Sequence, residues 1–216
     1  MKYTIDQFKK VLKRAFYSIF LGIVNGTYLF INYKRGNERI LETAIDKAIP
    51  FCKYFIIPYV VWYGYMAFFI AFLCFVDGDK YFRTITNLMA GMLISYLIYH
   101  FFPTYVPRPK LYGSDIFTKL VLAIYGQDNP YNCFPSVHVL NTFIVALYVQ
   151  KSKALGKKMK ITSFITAVLI ILSTLFIKQH YVPDVISSLA IGIVLYILTN
   201  VICAHLNTFK VKAWDK

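Results

Sequence analysis

The sequence predicts an all-α polytopic membrane protein: a bundle of six transmembrane helices with short interfacial helices, in a single membrane domain over residues 1–216. Three observations predict it. Of the 216 residues, 58% are hydrophobic and only 16% charged, and the mean hydropathy is +0.54, too apolar for an ordinary soluble domain. The apolar residues gather into runs close to membrane-spanning length, separated by short charged or proline-rich breaks. The 24 Lys and Arg, against 10 Asp and Glu, give a net charge of +14, but they fall in small clusters between those runs. That distribution fits membrane topology and argues against a nucleic-acid partner, which would meet one basic face.

The elements follow in order. Residues 1–14 form a basic segment with Ile5, Phe8 and Leu12 at helical spacing, which reads either as an interfacial helix or as a solvated tail. Residues 15–31 make a first span. Residues 32–53 mix charges of both signs, with Leu41, Ala44, Ile45 and Ala48 on one face, which predicts an amphipathic surface helix or a helix packed on the bundle. A second span covers residues 54–76, with Asp77-Gly78-Asp79 as a tight turn after it. A third covers 84–102 and ends at Pro103; Pro107-Arg108-Pro109 then stiffens the following loop. Ser114 is placed to cap a short helix over 115–125 that Gly126 closes. Residues 133–150, 161–177 and 185–205 complete the spans. The lysine-rich loop 151–160 lies between the fourth and fifth, and a basic tail, 206–216, follows the sixth. The four cysteines are scattered without metal spacing or a paired framework.

With six spans, the loop holding Arg108, the start of span four at His138, and the turn holding His180 all return to one face. The larger share of the Lys and Arg lies on the other face with both termini, although Lys34, Arg35 and Arg39 do not. The positive-inside rule then places the protein in the cell membrane with cytoplasmic termini and the Arg108, His138 and His180 face extracytoplasmic.

The stretch Lys178-Gln179-His180-Tyr181-Val182-Pro183-Asp184 carries the chemistry, because ionisable groups at a membrane boundary are expensive to keep. Pro183 suits the first turn of a helix, so Asp184 falls in that turn with His180 just outside it. The Asp184 carboxylate can then accept from one ring nitrogen of His180 and leave the other as nucleophile or base. Pro135 at a helix start sets Ser136 and the first backbone N–H groups to receive an anion. Arg108 adds a forked donor for phosphoryl oxygens, Lys178 a second positive charge, and His138 a proton donor. A metal site from His138, His180 and Asp184 is the competing reading; no carboxylate cluster or His-x-x-x-His pair supports it. Taken singly, His100 and His205 read as solvated or hydrogen-bonding interfacial groups.

These residues resemble the phosphatidic acid phosphatase type 2 superfamily of lipid phosphate phosphatases, which also includes lipid phosphotransferases. Its signature is Lys, six residues, Arg-Pro; then Pro-Ser-Gly-His; then Ser-Arg, five residues, His, three residues, Asp. Arg108-Pro109 matches the end of the first part, Pro135-Ser136-Val137-His138 the second, and Ser173 with His180 and Asp184 the third. Phe101 stands in place of the Lys, Val137 of the Gly and Thr174 of the Arg, so two phosphate ligands of the family are missing. Lys178, Lys110 and His100 are the candidate substitutes, with Lys178 preferred. The Cys133-Phe134-Pro135-Ser136-Val137-His138 and Lys178-Gln179-His180-Tyr181 wording is similar to the inositol phosphorylceramide synthase branch.

The resemblance implies a phosphatase acting on a lipid phosphomonoester or pyrophosphate through a phosphohistidine on His180. It implies His138 as the acid, Asp184 as the orienting carboxylate, and Arg108, Ser136, Lys178 and Lys110 around the phosphate. No metal or organic cofactor is implied, and the expected partners are the lipid phosphate and membrane lipids. The alternatives are transfer of the headgroup to an alcohol and a non-enzymatic protein with a degenerate site.

Overall fold

A chain this apolar satisfies its backbone polar groups by closing hydrogen bonds within each segment, and helices do so most completely. The structure, a computed structural model, describes residues 5–214; the first four residues of the basic N-terminal segment and the last two of the C-terminal tail lie outside the described residues. Among those described there are eight α-helices and no strand: α1 (Ile5–Ile31), α2 (Ala44–Ala48), α3 (Ile56–Val76), α4 (Gly78–Phe101), α5 (Ile116–Gln127), α6 (Val137–Lys151), α7 (Lys157–Phe176) and α8 (Val182–Trp214).

The six long helices alternate in direction. Ser152 after α6 donates to Asp77 before α4 (2.6 Å), and Arg14 on α1 donates to the Cys74 carbonyl (2.7 Å), which gathers the lysine loop and the start of α1 at one end. Asn132 before α6 reaches the Ile31 carbonyl (2.6 Å) at the other. There α1 ends, α6 begins, and α7 passes into α8.

Among the described residues four helices are long and apolar enough to cross a membrane, over Phe8–Ile31, Lys53–Val76, Lys157–Phe176 and Val182–Leu206. The expected third and fourth spans fall short of that measure. α6 has 15 residues, roughly 22 Å of helix, against about 30 Å of hydrocarbon core, and α4 opens with Asp79, Lys80 and Arg83. The reason is position: α6 is largely buried by its neighbours, and α4 packs its polar side inward while Leu93, Leu97 and Phe101 stay on the exterior. The two helices keep Thr84, Asn87, Ser95, Asn141 and Thr142 out of solvent, and Asn87 is paired to Tyr148 (2.9 Å) and Thr199 (2.5 Å). A helix surrounded by protein does not need the apolar exterior that lipid demands. Two glycines permit the close approach: a Cβ on Gly91 would lie 2.8 Å from Leu140, and one on Gly192 2.7 Å from Phe143. The outer helices instead expose Phe16, Ile19, Ile23, Ile193 and Ile197, an apolar exterior of the kind that faces lipid.

Other boundaries differ from expectation for local reasons. The surface helix expected over 32–53 contracts to α2, started by a capping box between Thr43 and Asp46; Arg39 before it is drawn into a bridge with Thr104. Asp77 is not in a turn but caps α4, which begins at once with Gly78. Asp115 rather than Ser114 caps α5, accepting from the Phe117 and Thr118 N–H groups, and the helix continues through Gly126 to Gln127. The Asp115 carboxyl also takes Lys53 (2.8 Å) and Thr118, and these donors, Lys53 first, hold it below the usual carboxylate range. α8 runs past residue 205 to Trp214.

Candidate active site

The site is built where α7 ends. The Gln179 N–H reaches the Thr174 carbonyl (2.9 Å) and the Lys178 N–H the Leu175 carbonyl (3.1 Å), the paired bonds of a Schellman C-terminus. The left-handed position of that motif usually falls to glycine; here Lys178 takes it, at φ +55°. His180 N–H also bonds to the Thr174 carbonyl (3.1 Å), so the residue standing in place of the family Arg anchors the histidine through its backbone.

α8 then begins at Val182, with Pro183 in its first turn. Asp184 accepts from the Tyr181 N–H (2.9 Å) and from His180 Nδ1 (3.3 Å), while the Cys133 carbonyl lies 3.0 Å from the same Nδ1. Both partners are acceptors, so Nδ1 carries the hydrogen and Nε2 is the nitrogen left with a lone pair. His180 is buried, yet it lines a cleft of about 490 Å³. Burial pushes the adjacent Tyr181 phenol up to about 12, with nearby carboxylates adding to the shift, and it stays neutral at physiological pH.

His138 comes to the same cleft from the first turn of α6, its ring centroid 6.3 Å from that of His180. Its Nε2 is 3.3 Å from the Tyr59 hydroxyl, and the Trp62 ring packs on it at 4.4 Å. Pro135 lies outside the helix, one residue before the cap. Ser136 is that cap: its hydroxyl accepts from Val139 N–H (3.3 Å), and its carbonyl from the Ser188 hydroxyl (2.9 Å). The Tyr99 hydroxyl secures the Pro135 carbonyl (2.6 Å).

Arg108 enters from the proline loop. One of its Nη atoms donates to the Lys178 carbonyl (3.0 Å), its guanidinium lies over the Tyr125 ring at 4.8 Å, and its Nε is buried without a protein partner. Burial raises the Tyr125 phenol to about 12, with Arg108 pulling the other way, so the hydroxyl stays protonated and donates to the Ile177 carbonyl.

The structure thus brings together His138, His180, Asp184 and Arg108. It does not bring Ser136, Lys178 or Lys110 to the cleft wall. Ser136 is fully buried in its cap, and Lys110 is exposed. The Lys178 ammonium turns away to the Asp46 (2.9 Å) and Ile49 (2.5 Å) carbonyls, because the C-terminal end of α2 offers acceptors and negative potential nearby. Asp46 completes the lock by accepting from the Val182 N–H (2.7 Å) at the start of α8. His100 is exposed and also off the wall.

Several wall residues had escaped the sequence reading. Gln179 is 1% exposed, and both ends of its amide lack a protein partner. Asp128 sits in the wall with one carboxylate oxygen held by Tyr28 (3.0 Å) and Asn32 (3.0 Å). Only the neighbour of His180 carried a sequence signal, by adjacency; Asp128 meets Tyr28 from a hundred residues away. Among the described residues no group of three His, Cys, Asp or Glu is placed to hold a metal ion.

A helical bundle carrying membrane-length apolar helices, with two histidines, a carboxylate and an arginine gathered at one end, defines a membrane-associated site suited to phosphoryl chemistry. The chain belongs to the PAP2 superfamily, whose profile it matches over residues 29–198, a family of phosphatases and related phosphotransferases. It is similar to an uncharacterised protein of Methanocaldococcus jannaschii, 29% identical over 129 residues, which cover 59% of this chain. The matched segment spans 52% of that relative's length. No solved structure matches the chain.

Proposed function

We propose that the protein is an integral membrane lipid phosphate phosphatase that works through a phosphohistidine on His180. The observation that carries this reading is the double engagement of His180 Nδ1 by Cys133 and Asp184, with His138 across the cleft at 6.3 Å. In this reading Nε2 attacks phosphorus, the P–O bond to the lipid breaks, and protonated His138 gives its proton to the departing oxygen. Neutral His138 then takes a proton from water, the hydroxide oxygen bonds phosphorus, the P–N bond breaks and phosphate leaves.

The spare N–H groups of Arg108, the Gln179 amide and the N-terminal N–H groups of α6 hold the phosphoryl oxygens as charge shifts in the transition state. Gln179 thus takes the place assigned to Lys178, and Asp184 stabilises the imidazolium character that develops on His180. All six long helices span the membrane, with the site at its extracytoplasmic face. The substrate is a lipid phosphomonoester or pyrophosphate reached from the bilayer.

The test is phosphate release from a panel of lipid phosphates by purified protein in detergent, beside His180→Ala and with a chelator present. Release that resists chelation, vanishes in the variant and follows a bell-shaped pH profile is the expected result, since one histidine must be neutral and the other protonated. Release that persists in His180→Ala overturns the mechanism.

A further inference from the structure

The cleft holding the two histidines has a neighbour across Asn25 and Trp62. Asn25 and Trp62 also line a second cleft, of about 670 Å³, which runs down between α1, α3 and α4 with mainly apolar walls. Ser18, Met66 and Ile70 are shared in turn with a third, of about 650 Å³, that reaches Val11 and Cys74 near the far end of the bundle. Along α1 this track runs from Tyr28 to Val11, roughly 26 Å of helix rise. That is most of a hydrocarbon core of about 30 Å.

Two side chains in the second cleft hold a buried polar atom without a partner, Trp62 through Nε1 and Asn141 through Oδ1, and Asn141 is the more deeply buried. Asn141 lines it, is only 5% exposed, and its Oδ1 has no hydrogen-bond partner. Most buried side-chain amides are paired, so an unpaired one facing a cleft points to a ligand that pairs it. Asn141 lies on α6 one turn deeper than His138, roughly 4.5 Å along the axis. A group that meets it would sit a few bonds from a phosphorus held between the histidines.

We propose that this track takes the hydrocarbon chain of the lipid phosphate and that Asn141 hydrogen-bonds a hydroxyl, amide or ester group in the lipid's backbone. The substrate class is then a phosphorylated lipid with a polar linkage, as opposed to a plain alkyl or isoprenyl phosphate. The inference rests on the phosphatase reading of the His180 site for the position of the phosphate. An amide both donates and accepts, so any of those linkages pairs it, whereas a hydrocarbon pairs nothing.

Two variants probe the two halves of the proposal. Asn141→Leu removes the polar partner at similar volume. Gly22→Leu narrows the chain track where a Cβ would meet no atom within 4 Å, so it fills space without a clash. Phosphate release is measured from a monoacylglycerol phosphate, from an alkyl phosphate of equal chain length, and from short-chain homologues of both. The native protein should favour the acylglycerol phosphate about tenfold in kcat/KM, the effect of one well-made hydrogen bond to a buried group. Asn141→Leu should erase that preference through KM, and Gly22→Leu should lower the long-to-short-chain ratio.

A preference that survives Asn141→Leu, or a chain dependence indifferent to Gly22→Leu, overturns the inference and leaves the phosphatase reading standing. If none of the lipids releases phosphate, that reading fails instead, and binding decides the inference. Quenching of Trp62 by the same lipids brominated on the chain, in a Trp214→Phe background, should weaken about tenfold in Asn141→Leu for the acylglycerol phosphate alone. Unchanged quenching overturns it.

Discussion

Replacing Asp184 with Asn takes one negative charge from behind His180 and leaves an amide oxygen where the Tyr181 N–H (2.9 Å) and His180 Nδ1 (3.3 Å) can still donate to it. The tautomer of His180 does not depend on that carboxylate alone, because the Cys133 carbonyl lies closer to Nδ1, at 3.0 Å. The variant therefore keeps the hydrogen on Nδ1 and the lone pair on Nε2, and loses only charge. A hydrogen bond to an ionised partner contributes about 1.5–3 kcal/mol and a neutral one about 0.5–1.5, so the difference is roughly 1–2 kcal/mol. That corresponds to formation of the phosphohistidine about 5- to 30-fold slower. Single-turnover mixing with a labelled lipid phosphate, followed by quantification of acid-labile protein phosphate, reads this step directly. A fall on the order of 10⁴-fold, the scale of losing the correct tautomer, would refute the role given to the Cys133 carbonyl. A rate within twofold of the native protein would refute the electrostatic role of Asp184.

Arg108→Lys should lower kcat/KM about tenfold, because an ammonium cannot hold the Lys178 carbonyl, lie flat on Tyr125 and still present donors to a phosphate; a native-like value would remove Arg108 from the phosphate site. Lys178→Met should lower stability by about 1–2 kcal/mol through loss of its bonds to the Asp46 and Ile49 carbonyls, with KM within about twofold of native. A tenfold rise in KM without loss of stability would restore Lys178 as a phosphate ligand. Asp115 has a carboxyl pKa below the ordinary range, so its contribution is present above that range and is lost as pH falls toward the lowered folded value. The midpoint of thermal unfolding, followed from pH 6 down to pH 3, should fall slightly more in the native protein than in Asp115→Asn, the group being exposed. Parallel curves would contradict the Lys53 and Thr118 bonds.

What could be read without a structure was what depends on near neighbours in the chain. Apolar runs of sufficient length become helices in any environment that withholds water, so the six long helices were legible, and so was the His180–Asp184 spacing across Pro183. The capping box of Thr43 and Asp46 was equally legible in principle, but the broader amphipathic pattern of residues 32–53 concealed it. The depth at which α6 sits was not, because hydropathy records what a helix contains and not whether protein or lipid surrounds it.

The same division runs through the site. His138, His180 and Arg108 could be placed on one face by alternating the spans. A long side chain, by contrast, turns toward whatever acceptor the fold brings near. For Lys178 that acceptor is the end of α2, 129 and 132 residues away in the chain, while its neighbour Gln179 is left unpaired in the cleft. Asp128 and Asn141 belong to the same group: neither lies in a motif, and each acquires meaning only from the helices packed against it. The sequence by itself determined the helices, their order and the residue types that do chemistry, because these rest on composition and short-range spacing. Only the tertiary structure decided which polar groups find partners and which remain for a ligand, because pairing is settled by distance in space.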